Sequence, residues 1–157
     1  MKFKVREIMA AEYPLLEEFL YQAIFVPDDA LPPSREIIYE PAVFIYIDSF
    51  GTLPGDCGVV AEVGVKVAGA TWTRIIPAYG HVDMNTPELA VSVLPEYRNL
   101  GIGGAMMEHL FDLLRSRNFK QTSLAVQKAN PAARFYLRMG YEILRENDEE
   151  WIMLKRL

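Results

Sequence analysis

The sequence predicts a mixed α/β (α+β) domain in which about seven strands form one sheet and about four helices flank it. Two observations lead to this prediction. Short runs of apolar and β-branched residues recur at strand length, and amphipathic runs with helical spacing lie between them. At 157 residues, the chain has the length of one domain, residues 1–157, and is large enough to bury a core.

The predicted elements follow one another along the chain, with loops rich in proline and glycine between them. Strands are predicted at residues 3–8, 58–63, 67–76, 89–93, 121–127, 141–144 and 151–154, and helices at 11–25, 41–49, 103–114 and 131–139. The prolines within residues 26–36 indicate a loop. Around the second helix, the aromatic side chains of Phe44, Tyr46 and Phe50 are expected either in the core or facing a substrate.

Composition argues against several classes of protein. A formal net charge of −5 argues against a nucleic-acid-binding protein, which usually has a basic face. A single cysteine, Cys57, excludes an internal disulfide and a multi-cysteine metal site, and favours the cytoplasm. His81 and His109 are far apart in sequence, so we predict no metal site. With no apolar run of about 18 residues, we expect neither a membrane span nor a membrane partner.

Three glycines lie within residues 101–104, where the chain passes from a predicted strand into a helix. Glycine at a helix start costs roughly 0.5–1 kcal/mol relative to alanine, so this cluster needs a physical reason. The first N–H groups of a helix have no helical partner and carry partial positive charge, so unshielded amides there can bind phosphate. Arg98 adds a positive charge one turn earlier. The alternative is that the glycines only permit close packing of the helix on the sheet.

Two common nucleotide-binding patterns do not match this loop. The dinucleotide fingerprint has a third glycine at the position of Met106, and it needs an acidic residue at the end of the next strand, which has none. A Walker A loop continues into lysine, where this chain has Ala105.

The loop belongs to a longer pattern, V-x-P-x-Y followed by R-x-x-G-x-G-G, over residues 93–104. A second run extends from Asn130 to Tyr136 and is followed by Gly140 and Tyr141. Together, in this order and at this separation, the two runs resemble the signatures of the GCN5-related N-acetyltransferase (GNAT) family. The resemblance is strong from about residue 88 to 143 and only architectural before that.

This resemblance implies a mixed, mostly antiparallel sheet and direct transfer of an acetyl group from acetyl-CoA to an amine of a small molecule, peptide or protein. It implies that backbone amides of the glycine loop hold the pyrophosphate, that the fourth strand holds the pantetheine arm, and that an asparagine contacts that arm. The cofactor-binding residues implied in this way are Val91, Ser92, Val93, Arg98, Asn99, Leu100, Gly101, Ile102, Gly103, Gly104, Asn130 and Tyr136.

The resemblance also assigns two catalytic roles. The backbone N–H of Val93 is the donor to the oxyanion of the tetrahedral intermediate. Tyr136 occupies the position that in many relatives protonates the departing thiolate, a transfer that is uphill by about 2 kcal/mol for unperturbed groups. The alternative for Tyr136 is a packing residue whose hydroxyl reaches solvent.

The general base is not fixed by the resemblance. Glu88 is the nearest acid at the start of the fourth strand, but it is offset by one from the position that aligns, Pro87. Strand residues alternate between faces, so Glu88 is either the base or a surface carboxylate. His81 and Asp83 on the preceding loop are alternative proton acceptors, and an amine deprotonated through water would need no base.

A non-catalytic, acyl-CoA-binding regulatory module on the same fold is the competing hypothesis, because fold does not fix function. The acceptor is not named by any motif. The oligomeric state is open, with a homodimer through strand edges or the acceptor-side helices as one option.

Overall fold

A single seven-stranded sheet forms the centre of the computed structural model, which describes residues 2–157. The strands are β1 (Lys4–Glu7), β2 (Cys57–Val63), β3 (Lys66–Arg74), β4 (Glu88–Val93), β5 (Gln121–Gln127), β6 (Glu142–Glu146) and β7 (Glu150–Arg156). Their order across the sheet is β1-β2-β3-β4-β5-β7-β6, and every neighbouring pair is antiparallel except β4 with β5. The predicted mixed, mostly antiparallel sheet is therefore confirmed.

Four α-helices pack against this sheet. They are α1 (Leu16–Ala23), α2 (Pro41–Phe44), α3 (Ile102–Ser116) and α4 (Ala132–Arg138). Among the helices of residues 2–157, none is long and apolar enough to cross a membrane.

Both N-terminal helices are shorter than predicted. The helix predicted at residues 11–25 begins as a 3₁₀ segment, Ala10–Leu15, because Pro14 lacks an N–H and restricts the residue before it. The prediction of a helix over residues 41–49 is wrong beyond Phe44, where the chain continues in hydrogen-bonded turns. Residues 43–47 are all β-branched or aromatic, which weakens a helix, and Ser49 has a positive φ of 55°.

The sheet separates two hydrophobic cores, because successive strand residues point to opposite faces. Val59 of β2 packs in the core formed with α3, whereas Val60 packs in the core formed with α1. Phe50 belongs to the second core, with its ring 4.9 Å from that of Tyr13 in an edge-on arrangement. Of the three aromatic residues left open by the sequence, Phe50 is therefore a core residue.

Strands β4 and β5 are joined at one position only, where Glu88 pairs with Ser123. The Ser123 N–H donates to the Pro87 carbonyl at 3.0 Å, and no further ladder pair follows between these strands in residues 2–157. The gap between them is a cleft of about 740 Å³. This cleft brings together residues from β4, β5, α1, α4 and the turn between β6 and β7.

Candidate active site

The cleft between β4 and β5 has apolar walls and a small number of polar groups. Its β4 wall includes Glu88 and its β5 wall extends to Gln127. The apolar residues lining it are Leu20, Ala23, Ile24, Phe25, Ile37, Val43, Leu89, Ala90, Val91, Leu124, Ala125 and Val126. An apolar cleft with few convergent polar groups is the usual form of a small-molecule site.

Backbone groups of β4 face the cleft at alternate residues. The Leu94 N–H donates to the Ala68 carbonyl of β3 at 2.9 Å. Because backbone groups alternate sides along a strand, those of Val93 and Val91 point away from β3, towards the cleft. Ser92 points the other way, and its hydroxyl donates to the Phe19 carbonyl at 2.6 Å. The geometry thus favours Val91 and Val93 as ligand-binding positions, and a cofactor contact of Ser92 stays a prediction.

The glycine loop leaves open space at the start of α3. Gly101 caps the helix with a left-handed φ of 84°, and the first helical hydrogen bond runs from the Ala105 N–H to its carbonyl at 3.2 Å. The N–H groups of residues 102–104 precede that bond and so lack helical partners. A Cβ added at Gly103 would come no closer than 3.7 Å to Phe135, and one at Gly104 no closer than 3.8 Å. Packing within the protein therefore does not require glycine at these two positions, which argues against the alternative explanation of close helix packing.

The residues before the glycines are exposed. Arg98 donates to the Val93 carbonyl at 2.9 Å and to the Gln22 side chain at 3.2 Å, and it forms no ion pair within residues 2–157. Asn99 has a positive φ of 63°, and Leu100 is 45% exposed. An uncompensated positive charge thus stands next to the free amides.

Glu88 is buried in the wall of the cleft. Only 2% of the residue is exposed, so the alternative that it is a surface carboxylate is wrong. Its Oε2 accepts hydrogen bonds from the Tyr46 hydroxyl and from the Gly80 N–H, the latter at 3.0 Å. Its Oε1 is buried and has no hydrogen-bond partner within residues 2–157. Glu88 therefore lies in the wall of the cleft with its carboxylate buried, and the offset from Pro87 does not carry its side chain to solvent.

The environment of Glu88 makes it a proton acceptor near neutral pH. Burial raises the pKa of Glu88 to about 7, although the hydrogen bonds from Tyr46 and Gly80 act in the opposite direction. The negative charge of Glu150 raises the pKa of Glu88 further. A carboxyl group with such a pKa is partly protonated at pH 7 and suited to general base catalysis.

Two residues hold Glu88 in place. Tyr46, which the sequence placed either in the core or facing a substrate, lines the cleft, and Gly80 was not identified from the sequence. The Tyr46 carbonyl accepts a hydrogen bond from the Trp72 indole at 3.0 Å, which holds the turns after α2 against β3. The Gly80 carbonyl accepts from the Ser123 hydroxyl at 2.7 Å. A Cβ on Gly80 would lie 2.8 Å from the backbone of β5, so only glycine fits there. No local motif reveals these contacts, because Tyr46 and Glu88 are 42 residues apart.

Tyr136 and Asn130 also line the cleft. Burial raises the pKa of Tyr136 to about 12, so the phenol is neutral and its proton is harder to release than assumed from the sequence. Against a thiol of pKa about 8.5, full proton transfer would be uphill by roughly 5 kcal/mol rather than 2. Asn130 Oδ1 accepts from the Ala132 N–H at 2.9 Å, which caps α4 and leaves its amide N–H groups for other partners.

The other two proton acceptors considered from the sequence do not line the cleft. His81 Nδ1 lies 2.9 Å from the Ile76 carbonyl. Asp83 accepts from the Thr86 hydroxyl at 2.7 Å and from the Asn85 N–H at 2.8 Å, and these bonds lower the pKa of Asp83. Among these candidates, the geometry favours Glu88.

Both the sequence and the fold have counterparts in known proteins. The sequence model of the Acetyltransferase (GNAT) family matches residues 18–141, most of the chain. The chain belongs to the GNAT family. The resemblance stated from the two sequence patterns is thereby confirmed.

Solved structures share the GNAT fold over the full length of the chain. The PaiA N-acetyltransferase of Thermoplasma acidophilum, solved with coenzyme A, is 17% identical, with a TM-score of 0.74 and 100% of both chains covered. A putative acetyltransferase of Salmonella typhimurium, solved with acetyl-CoA, is 15% identical, with a TM-score of 0.72 over 100% of this chain and 95% of that one. The ribosomal-protein-S18-alanine N-acetyltransferase of Escherichia coli is 21% identical, with a TM-score of 0.68 over 99% and 94%. No curated protein matches the sequence at a significant level.

Proposed function

We propose that this GNAT protein is an N-acetyltransferase that transfers an acetyl group from acetyl-CoA directly to an amine. The observation that carries the proposal is Glu88, a buried carboxylate with an unpartnered oxygen in the wall of the cleft. Such a group is costly to bury and is retained where it accepts a proton. Membership of the GNAT family and the solved relatives that contain coenzyme A or acetyl-CoA support the same conclusion.

The residues at the start of α3 fit a diphosphate. Free N–H groups at a helix N-terminus attract anions, and the open space at Gly103 and Gly104 allows a phosphate to approach the backbone. Arg98 adds positive charge beside them, and Asn99 and Leu100 complete the exposed loop. The backbone groups of Val91 and Val93 and the free amide N–H groups of Asn130 would hold the pantetheine arm. When bound, acetyl-CoA supplies the thioester carbonyl that the acceptor amine attacks.

The chemical roles follow from the groups around the cleft. Glu88 Oε1 takes a proton from the incoming ammonium, which frees the nitrogen lone pair to form the new C–N bond. The Val93 N–H stabilises the negative charge that develops on the carbonyl oxygen. As the C–S bond breaks, Tyr136 donates a hydrogen bond to the departing sulfur, and its raised pKa favours this over complete proton transfer. As the intermediate collapses, its nitrogen loses a second proton to water and the departing thiolate takes up one from water, which leaves the amide and the thiol of coenzyme A; Glu88 then releases its own proton to water.

Release of coenzyme A from acetyl-CoA across a panel of amines, followed with a thiol reagent, tests the proposal. We expect Glu88→Gln to reduce kcat/KM by about two orders of magnitude, the typical contribution of a general base. Its matched control is Glu142→Gln, which removes an exposed carboxylate on β6. Absence of acceptor-dependent release in the wild-type protein would contradict the proposal and favour the regulatory module.

Calorimetry with coenzyme A tests the cofactor site separately. We expect Gly103→Leu to abolish measurable binding, because its side chain would occupy the space of the diphosphate. Glu108→Leu, on the exposed face of the same helix, is the control. Unchanged affinity in Gly103→Leu would show that the diphosphate binds elsewhere.

A further inference from the structure

The charged residues that line the cleft are all acidic. Glu88 lies in its β4 wall, and Asp148, Glu149 and Glu150 lie at the turn between β6 and β7. Within residues 2–157, no lysine, arginine or histidine lines the cleft. Four carboxylates around one cavity repel each other unless a cation enters.

The acidic turn has a defined conformation. Asn147 Oδ1 accepts from the N–H groups of Glu149 and Glu150 at 2.9 and 2.8 Å. The Asn147 amide donates to Glu150 Oε1 at 3.3 Å. The side chains of Asp148 and Glu149 form no ion pair within the part of the chain that the structure describes. The turn therefore presents carboxylates whose charge is not neutralised by the protein.

Basic residues near the turn are engaged with other groups. Lys128 pairs with Glu146 at 2.5 Å, and Arg145 donates to the His81 carbonyl at 2.6 Å. Glu150, in contrast, acts on the cleft, because its charge raises the pKa of both Glu88 and Tyr46. The acidic turn and the buried carboxylate are thus within electrostatic reach of each other.

A second observation, independent of the turn, points to a ligand. Glu88 lines the same cleft and is 98% buried, since 2% of the residue is exposed. Its Oε1 has no hydrogen-bond partner within residues 2–157. An orphaned buried carboxylate oxygen requires a donor, and an ammonium group supplies one. Apolar side chains such as Ile24 and Leu124 line the cavity as well. The cavity therefore combines two negative positions with an apolar lining.

We propose that the acceptor is a linear alkyl diamine or polyamine, with one amino group at Glu88 and a second ammonium group at the turn formed by Asp148, Glu149 and Glu150. This inference rests on the proposed N-acetyltransferase function. An alkyl chain fits the apolar lining, and the second ammonium neutralises carboxylates that a monoamine leaves unpaired. Acceptors with a carboxylate at the far end of the chain are repelled by the same turn.

The test compares α,ω-diamines from propane to hexane with n-alkyl monoamines of equal chain length, using acetyl-CoA and the wild-type protein. We expect kcat/KM to be roughly tenfold or more higher for the best diamine than for its monoamine, and this ratio to fall with added salt because part of the interaction is exposed. An amino acid with the carboxylate at the far end of the same chain should be the poorest acceptor.

The double variant Asp148→Asn/Glu149→Gln locates the second ammonium. We expect the ratio between diamine and monoamine to fall towards one, while Glu142→Gln on β6 keeps the wild-type ratio. Because both substituted residues are exposed, the double variant should fold normally, which thermal unfolding verifies. An unchanged ratio in the double variant would overturn the assignment of the turn.

The outcomes separate this inference from the proposed function. Equal kcat/KM for diamines and monoamines would overturn the inference and leave N-acetyltransfer intact. Strong preference for a basic peptide over every diamine would also overturn it. Binding of coenzyme A without turnover of any amine would refute the proposed function itself, and the inference with it.

Discussion

Replacing Glu88 by glutamine should make the protein more stable at alkaline pH while it removes activity. The pKa of Glu88 is about 7 in the folded protein, against an ordinary value of 4.5. The amide oxygen of glutamine accepts the same hydrogen bonds from Tyr46 and Gly80 as Oε2 does now. The substitution therefore retains these two contacts and removes the buried negative charge, but it places amide N–H groups where Oε1 has no partner, a cost that does not depend on pH. The pH-dependent part of the stability difference between the two proteins is the cost of the buried charge.

The direction of the effect follows from proton linkage. Because the folded pKa of Glu88 lies above the unfolded one, the folded state holds the extra proton, and stability falls as pH rises from 4.5 through 7. At about 1.4 kcal/mol for each pKa unit, this carboxylate destabilises the native state by up to about 3 kcal/mol above pH 8. Below about pH 4.5 the cost disappears, because the group is protonated in both states.

Urea unfolding of the two proteins at about pH 5 and pH 8 measures this difference. With an m-value of about 2 kcal/mol per molar urea, 3 kcal/mol corresponds to a midpoint raised by about 1.5 M in Glu88→Gln at the higher pH. At pH 5 just under 1 kcal/mol of this cost remains, so the difference between the two midpoints should be smaller by about 1 M urea than at pH 8. A difference between the two midpoints that is the same at both pH values would refute the argument that Glu88 is a buried group with a raised pKa. Glu142→Gln, on the exposed face of β6, controls for the change in net charge.

Three further predictions concern the same region. In the wild-type protein, kcat/KM should rise roughly tenfold between about pH 6 and 8 as Glu88 ionises. Tyr46→Phe should move the midpoint of this rise to higher pH, because the carboxylate loses a hydrogen bond that lowers its pKa. An unchanged pH profile in Tyr46→Phe would show that the hydroxyl does not affect the pKa of Glu88. Gly80→Ala should lower the melting temperature, because its Cβ would lie 2.8 Å from the backbone of β5, and a wild-type melting temperature would contradict this packing. Asp56→Asn should lower the free energy of unfolding, measured in urea, by about 3–5 kcal/mol. The variant leaves the guanidinium of Arg74, a residue that is 2% exposed, without its ion-pair partner at 2.8 Å. A loss under about 1 kcal/mol would show that the backbone carbonyls around Arg74 are enough to stabilise its charge.

The sequence predicted the elements that depend on local patterns. Strand β5 was predicted with the bounds the structure has, because residues 121–127 form a run of strand length with apolar residues at 124–126 and no proline or glycine within it. The start of α3 was predicted within one residue from the glycines. The helix after Pro41 was overextended, since amphipathic spacing alone does not register the preference of β-branched and aromatic residues for other conformations.

The environment of Glu88 could not be predicted, because it depends on contacts between distant segments. Glu88 lies one residue from the aligned position, Pro87, and neighbouring strand residues are expected on opposite faces. Only the fold shows that Tyr46 and the loop at Gly80 cover the Glu88 side chain. The position of the acidic turn beside the cleft likewise follows from a long-range contact, the pairing of Glu150 with Gln127.

The single ladder pair between β4 and β5 has a consequence for how the protein tolerates mutation. A continuous sheet would pair every backbone N–H and carbonyl, whereas here the backbone groups of Val91 and the N–H of Val93 face the cleft without a strand partner; the Val93 carbonyl accepts from Arg98. Recognition by peptide groups does not depend on which side chain the residue carries. At these two positions, exchanges among valine, isoleucine and threonine should therefore preserve the backbone groups that face the cleft. Proline lacks the N–H and should destroy this surface.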